Sequence, residues 1–300
     1  MKHLLTMGEL TAQEITEILD LADKLKAEKK AGKTHHLLAG KKLGMIFQKA
    51  STRTRVSFEA GMYELGGLAM FFSAKDMQLG RGEPIKDTAR VLSRYLDAIM
   101  IRTYAHSDVE DFAKYGTIPI INGLTDYAHP CQVLADLQTI RERKGKLKGL
   151  KLAFVGDGNN MANSLIVGCL KMGMKVAIAC PDEYRPDAKI VATATKSPDF
   201  LLTSSIKDAV NGADVVYTDV WASMGMEGEA EKRAHAFKDY QVNKTTMSYA
   251  KSDALVLHCL PAHRGEEISE DVMEAHISEI LDEAENRLHA QKAVLVKLLG

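Results

Sequence analysis

The 300-residue sequence lacks any apolar stretch approaching the ~20 residues needed to cross a bilayer; its longest apolar runs are short and broken by charge. Its opening, Met1 to Leu10, reaches Glu9 before an apolar core can form, which argues against a secretory signal. Cysteine is scarce, with four residues at 131, 169, 180 and 259. That is too few for a disulfide framework and points to reduced thiols in a cytoplasm. Excess charge is nearly absent: 39 Lys+Arg against 40 Asp+Glu leaves a net −1. This excludes a general polyanion or nucleic-acid binder and leaves room for one local basic pocket. There is no GxxxxGK[ST] phosphate loop, no close repeat and no low-complexity segment.

What is present is a globular chain, 46% hydrophobic, with a length that suits two domains of roughly 150 residues. Thr11 and Glu14 form a capping-box pattern, followed by Ile15, Ile18, Leu19, Ala22 and Leu25 at helical spacing. Short apolar runs at 43–47, 68–72, 98–101 and 118–121 read as strands, with helical patterns at 54–66, 86–96 and 107–115 between them. A helix at about 131–144 ends in a polar stretch, and the alternation then restarts. Further strands are expected at 152–155, 176–179, 215–218 and 255–258, and an amphipathic helix at about 278–298. Strand–helix alternation predicts βαβ units on parallel sheets, an α/β fold in two parts.

The polar residues that could carry chemistry stand where these strands end. Ser51-Thr52-Arg53-Thr54-Arg55 opens a helix soon after the first strand. Free N–H groups and the positive dipole end there favour an anion, and three hydroxyls with two guanidiniums exceed what an ordinary cap needs. Arg102 ends one strand, and His129-Pro130-Cys131-Gln132 opens the helix after another. Singly, such residues are more often surface or structural; together, at the carboxyl ends of strands in one sheet, they suggest a shared pocket.

In the second half, Gly156-Asp157-Gly158-Asn159-Asn160-Met161 follows a strand and approaches the GxGxxG dinucleotide pattern, with Asp182 near the ribose-acid position. An NAD-dependent dehydrogenase is therefore a rival reading, weakened by Met161 in place of the third glycine. Asp219-Val220-Trp221-Ala222-Ser223-Met224-Gly225 reads as a loop over a site, or as an ordinary surface loop around the only tryptophan. His258-Cys259-Leu260-Pro261 places a thiol after an apolar strand, as a functional group or as a small buried residue. Pooling His129, Cys131, His258 and Cys259 as metal ligands fits no standard zinc spacing.

Taken in order, Ser-Thr-Arg-Thr-Arg, His-Pro-Cys-Gln, Asp-Gly-Asn-Asn, Asp-Val-Trp-Ala-Ser-Met-Gly and His-Cys-Leu-Pro resemble the ornithine carbamoyltransferases, within the aspartate/ornithine carbamoyltransferase family, from end to end. The resemblance implies two α/β domains, each a parallel sheet flanked by helices, joined by two helices. Residues 1–134 with 274–300 are expected to bind carbamoyl phosphate, and 135–273 to bind ornithine. It implies Ser51, Thr52, Arg53 and Thr54 on the phosphate, Arg102 and His129 on the carbonyl oxygen, and Gln132 on the carbamoyl amide. Arg287 would complete the phosphate and carbonyl contacts. Asn160, Asp219, Ser223 and Met224 would bind ornithine, with Cys259 and the backbone at Leu260 facing the reacting centre. Arg102, His129, Cys259 and Arg287 are the catalytic candidates. Gln78 resembles a residue lent by a neighbouring subunit, which implies a homotrimer or a multiple of trimers with shared sites. No cofactor, metal, nucleic acid or membrane is implied, and the location expected is cytoplasmic, in arginine metabolism.

Overall fold

The computed structural model describes residues 1–222 and 227–300, and divides into two units, Met1–Gln138 with Asn286–Gly300 and Thr139–Glu285. The first begins with the helix Ala12–Lys30 (α1), whose capping box is closed: Thr11 accepts from the Glu14 N–H, and Glu14 accepts from the Thr11 N–H. Ile15, Ile18, Leu19, Ala22 and Leu25 form its buried stripe. Then follow Lys42–Phe47 (β1), Thr52–Glu64 (α2), Leu68–Ser73 (β2), Ile85–Leu92 (α3), Ala98–Arg102 (β3), His106–Tyr115 (α4), Ile120–Leu124 (β4) and Pro130–Lys144 (α5).

All four strands are parallel, in the order β2-β1-β3-β4. β1 and β3 are buried almost throughout, as runs covered on both faces must be, whereas β2 is a half-exposed edge. Ile46, Ile99, Ile101, Phe112 and Ile120 meet in one cluster, each worth ~1.5–3 kcal/mol of burial. The chain steps from β1 to one side and then returns to the other. The reversal between β1 and β3 leaves a crevice at their carboxyl ends, where open α/β sheets bind ligands. Ser51 and Arg102 flank it.

The second unit repeats the plan with Lys151–Val155 (β5), Asn160–Lys171 (α6), Lys175–Ala179 (β6), Ala188–Ala194 (α7), Phe200–Thr203 (β7), Ile206–Val210 (α8) and Val215–Thr218 (β8). Ala230–Phe237 (α9), Lys244–Met247 (α10), Leu255–His258 (β9) and Glu270–Ala275 (α11) complete it. Its parallel sheet runs β7-β6-β5-β8-β9, so its reversal lies between β5 and β8. Gly158 sits at that point because nothing larger fits: an added Cβ would lie 2.2 Å from the Pro186 nitrogen. The last helix, Ile277–Leu299 (α12), carries the chain back into the first unit from Asn286 onward.

The α/β architecture expected from the sequence is present, with local differences. The fourth strand starts at Ile120 rather than 118, because Pro119 cannot donate to the ladder, and it continues to Leu124 through a bulge. The third helix stops at Leu92, after which Arg94 and Tyr95 close tighter turns. The edge strand β7 was not expected; its four residues lack a fully buried face.

Candidate active site

Ser51 caps α2 in extended conformation, its Oγ accepting from the Thr54 N–H at 3.2 Å. That leaves the Thr54 hydroxyl free of capping duty, and two buried arginines converge on it: Arg287 Nη2 at 3.2 Å and Arg102 Nη1 at 3.5 Å. Arg102 reaches the crevice from β3 at a register shift. Ile101 pairs with Asn122 and Arg102 with Leu124, so Gly123 is the extra residue of a bulge. A side chain at Gly123 would meet the Met100 sulfur at 2.5 Å. Arg287 comes from α12 and donates through Nη1 to Gln132 Oε1 at 2.6 Å. Gln132 in turn donates to Asp136 at 2.9 Å, which fixes the orientation of its amide.

His129 ends the loop before α5 and is buried. Burial, and then the charges of Arg287, Arg102 and Arg53, push its pKa well below the ordinary imidazole value. It is therefore neutral at pH 7 and offers one N–H beside three cations. Neighbouring Cys131 is an ordinary buried thiol, pushed up to about 12 by burial, and donates to the Asn122 carbonyl at 3.4 Å. Ser51, Thr54, Arg102, His129, Gln132 and Arg287 are thus drawn to one crevice, with half-buried Arg53 and exposed Thr52 at its mouth on the first turn of α2.

The second guanidinium of the Ser-Thr-Arg-Thr-Arg run does not join them. Arg55 lies 3.8 Å over the Phe71 ring and pairs with Glu59 at 3.0 Å. Two residues along a helix are about 200° apart, so Arg53 and Arg55 cannot face the same anion. Lys49 is also committed elsewhere, to Asp126 and the Tyr104 ring. Gln78 lies exposed on the short turn Gln78–Arg81.

In the second unit, the carboxyl ends of β5, β8 and β9 hold a separate polar cluster. Asp219, directly after β8, is buried and accepts three hydrogen bonds. Asn159 Nδ2 donates at 2.8 Å, the Val220 N–H at 2.8 Å and the Cys259 thiol at 3.1 Å. Asn159 also caps α6, so Asn160 becomes the first, buried residue of that helix. Leu260 holds a left-handed backbone, φ 58°, with its N–H donating to His258 Nδ1 at 2.9 Å. Ser223 and Met224 lie outside the described residues.

Among the described residues, Asp219, His258 and Cys259 are close enough to be weighed as metal ligands, as are His263, Glu266 and Glu267. Both ring nitrogens of His258 are already engaged, Nδ1 by Leu260 and Nε2 by Glu267 at 2.9 Å, and the Cys259 thiol donates a hydrogen bond to Asp219. The first group is thus one of satisfied hydrogen bonds, and it does not fit an ion. Asp182, the candidate ribose acid, pairs with Arg185 at 2.5 Å on the surface.

The motif-based site omitted several partners. Asn159 contacts Asp219 and was in view as part of the Asp-Gly-Asn-Asn run, where asparagine is a strong capping signal. Arg233, on α9, makes a buried ion pair with Asp157 at 2.7 Å and also holds the Trp221 carbonyl at 2.9 Å. Burial raises Asp157 to about 6 despite this cation. Gln291, which contacts Arg287, and Ser57, which contacts Gln291, carry no motif signal beyond a polar residue one turn from Arg287.

Two family models together cover the chain. The carbamoyl-P binding domain of aspartate/ornithine carbamoyltransferase matches residues 2–142, and the Asp/Orn binding domain matches residues 148–298. An ornithine carbamoyltransferase of Carboxydothermus hydrogenoformans is 57% identical, with 100% of this chain and 98% of that protein aligned. The anabolic ornithine carbamoyltransferase of Pyrococcus furiosus is 55% identical, over 100% and 96%. A solved structure of ornithine carbamoyltransferase from Pyrococcus furiosus superposes with a TM-score of 0.95 at 54% identity, covering 100% of this chain and 97% of the other. The crevice residues Ser51 to Gln132 fall in the first matched range, Arg287 and the Asp219 cluster fall in the second, and the chain belongs to the aspartate/ornithine carbamoyltransferase family.

Proposed function

We propose that this chain transfers the carbamoyl group of carbamoyl phosphate to the side-chain amine of L-ornithine, giving L-citrulline and phosphate, a reaction of arginine metabolism. The observation that carries the reading is the convergence of Arg102 and Arg287 on Thr54 at the start of α2, beside a neutral, buried His129. The relatives named above are ornithine carbamoyltransferases, and this selects the acceptor.

In the reaction the amine attacks the carbonyl carbon and the C–O bond to phosphate breaks. Negative charge grows on the carbonyl oxygen and then on the departing phosphate. Donors already aimed at those positions are the largest catalytic term, at ~3–4 kcal/mol for one lost donor. Ser51, Thr52, Arg53 and Thr54 hold the phosphate. Arg102, His129 and Arg287 face the carbonyl oxygen, and the Gln132 Oε1 acceptor has the polarity for the carbamoyl N–H groups. A neutral His129 suits this work, because it adds a directional donor without a fourth charge in a buried cluster. The ornithine side chain arrives as an ammonium and must lose one proton before attack. Asp219 and Cys259 orient that nitrogen, with Asn160, Ser223 and Met224 on the amino-acid end. No cofactor is needed, because carbamoyl phosphate is already activated.

Assembly as a trimer, or as a multiple of trimers, would place Gln78 in a neighbour's site. The exposed Val56, Tyr63 and Leu68 on α2 and β2 supply apolar surface for such a contact. The four thiols, none in a disulfide, suit a cytoplasmic location.

The test is a colorimetric citrulline assay on the purified protein with carbamoyl phosphate and either ornithine or putrescine. Ornithine is expected to turn over, and putrescine, which lacks the carboxylate, to be poorer by up to ~10⁴-fold in kcat/KM. Equal efficiency with the two amines would overturn the ornithine assignment, and no product with either would overturn the activity.

A further inference from the structure

Gln291 lies four residues beyond Arg287 on α12 and is fully buried. Residues at this spacing share a helix face. Its amide satisfies both ends in one orientation. The oxygen accepts from Arg287 Nε at 3.2 Å and Nη2 at 3.0 Å, and the nitrogen donates to Ser57 Oγ at 2.6 Å. Turned the other way, the amide N–H groups would face guanidinium N–H groups, so the hydrogen-bond network decides the assignment. The Ser57 hydroxyl in turn donates a hydrogen bond to the Thr54 carbonyl at 3.2 Å. A closed circuit results: Thr54 to Ser57, Ser57 to Gln291, Gln291 to Arg287, and Arg287 back to the Thr54 hydroxyl.

We propose that Gln291, backed by Ser57, is a positioning residue that sets the plane of the Arg287 guanidinium and hence its aim at carbamoyl phosphate. The inference rests on the role given to Arg287 above. An arginine side chain is long and pivots about its last bonds. Gln132 holds one Nη, and the Gln291 oxygen spans the opposite Nε–Nη2 edge, so rotation of the fork breaks bonds on both sides. A fork held this way needs no reorganisation when charge develops, which is what makes a donor effective in the transition state. The rival role for Gln291 is plain cement between α2 and α12, and the two roles differ in what a double substitution does.

Gln291→Met keeps the length and volume of the side chain and removes both polar ends. In the wild-type background it should lower kcat/KM for carbamoyl phosphate on the order of tenfold or more, and leave the KM for ornithine within about twofold. In an Arg287→Lys background, which has no Nε–Nη2 edge to grip, the same substitution should change kcat/KM by less than about twofold. Ser57→Ala should give a smaller loss in the same direction, absorbed entirely by Gln291→Met; it also serves as the probe if Gln291→Met does not fold. The same cycle read as calorimetric affinity for inorganic phosphate needs no turnover and should show the same non-additivity. Equal fold losses in both backgrounds, or wild-type kinetics in folded Gln291→Met, would overturn the inference. A wild-type protein that binds phosphate but forms no citrulline would overturn the proposed activity, and the phosphate cycle would still judge the role of Gln291.

Discussion

Replacing Thr54 by valine removes one hydroxyl and little else. Valine has nearly the same shape, and the cap of α2 uses the Thr54 backbone N–H on Ser51, which survives. What is lost is the acceptor shared by two arginines, each about 5% exposed or less. The 3.2 Å bond from Arg287 is a full charge-assisted hydrogen bond, worth ~1.5–3 kcal/mol, whereas the 3.5 Å approach of Arg102 is at the limit and adds a fraction of that. A total of about 2–3 kcal/mol predicts a fall in kcat/KM for carbamoyl phosphate of about 30- to 150-fold. Thr54→Ser restores the hydroxyl and should recover most of the rate. The assay is steady-state citrulline formation with each substrate varied, alongside thermal unfolding to show that α2 is intact. Thr54→Val within twofold of wild type, in a folded protein, would refute the idea that this hydroxyl organises the two guanidiniums.

Arg53→Lys keeps the charge and loses the fork; it should fold and lose about a hundredfold or more in rate, measured by the same assay. Cys259→Ala should lower kcat or raise the KM for ornithine through loss of the thiol on Asp219, while Cys169→Ala should act only on unfolding. Gly158→Ala should destabilise the second unit by ~2 kcal/mol or more in urea unfolding, because the new carbon meets backbone at Pro186 rather than a movable side chain. The pH effect at Asp157 has a definite sign. Its carboxyl is raised to about 6 when folded, so the folded state holds this proton more tightly than the unfolded chain. Stability should therefore fall as pH rises from about 4 to about 6 and level off above. Asp157→Asn mimics the protonated form, and wild type should lose up to ~3 kcal/mol relative to it across that window in urea titrations.

The sequence by itself determined the class of fold, the ends of most elements and the addresses of the polar residues. These are local properties. Strand and helix periodicities, the Thr11–Glu14 box and the Ser51 cap are written within a few neighbouring residues, and motifs at strand ends inherit their place from the strands. The five ordered motifs also carried the family, since each is a short contiguous string. Tertiary structure decided which strands lie side by side, and so which strand ends share a crevice. The reversals between β1 and β3 and between β5 and β8 leave no local trace. It turned Arg55 away from the anion crevice while keeping Arg53 there, and it shifted the register of β4 beside Arg102 through a bulge at Gly123. It also chose the supporting partners: Arg287 reaches Thr54 across 233 residues of sequence, and Gln291 and Ser57 meet only because α12 packs on α2. A buried polar side chain must find a partner wherever the fold brings one, and that choice is made in three dimensions rather than along the chain.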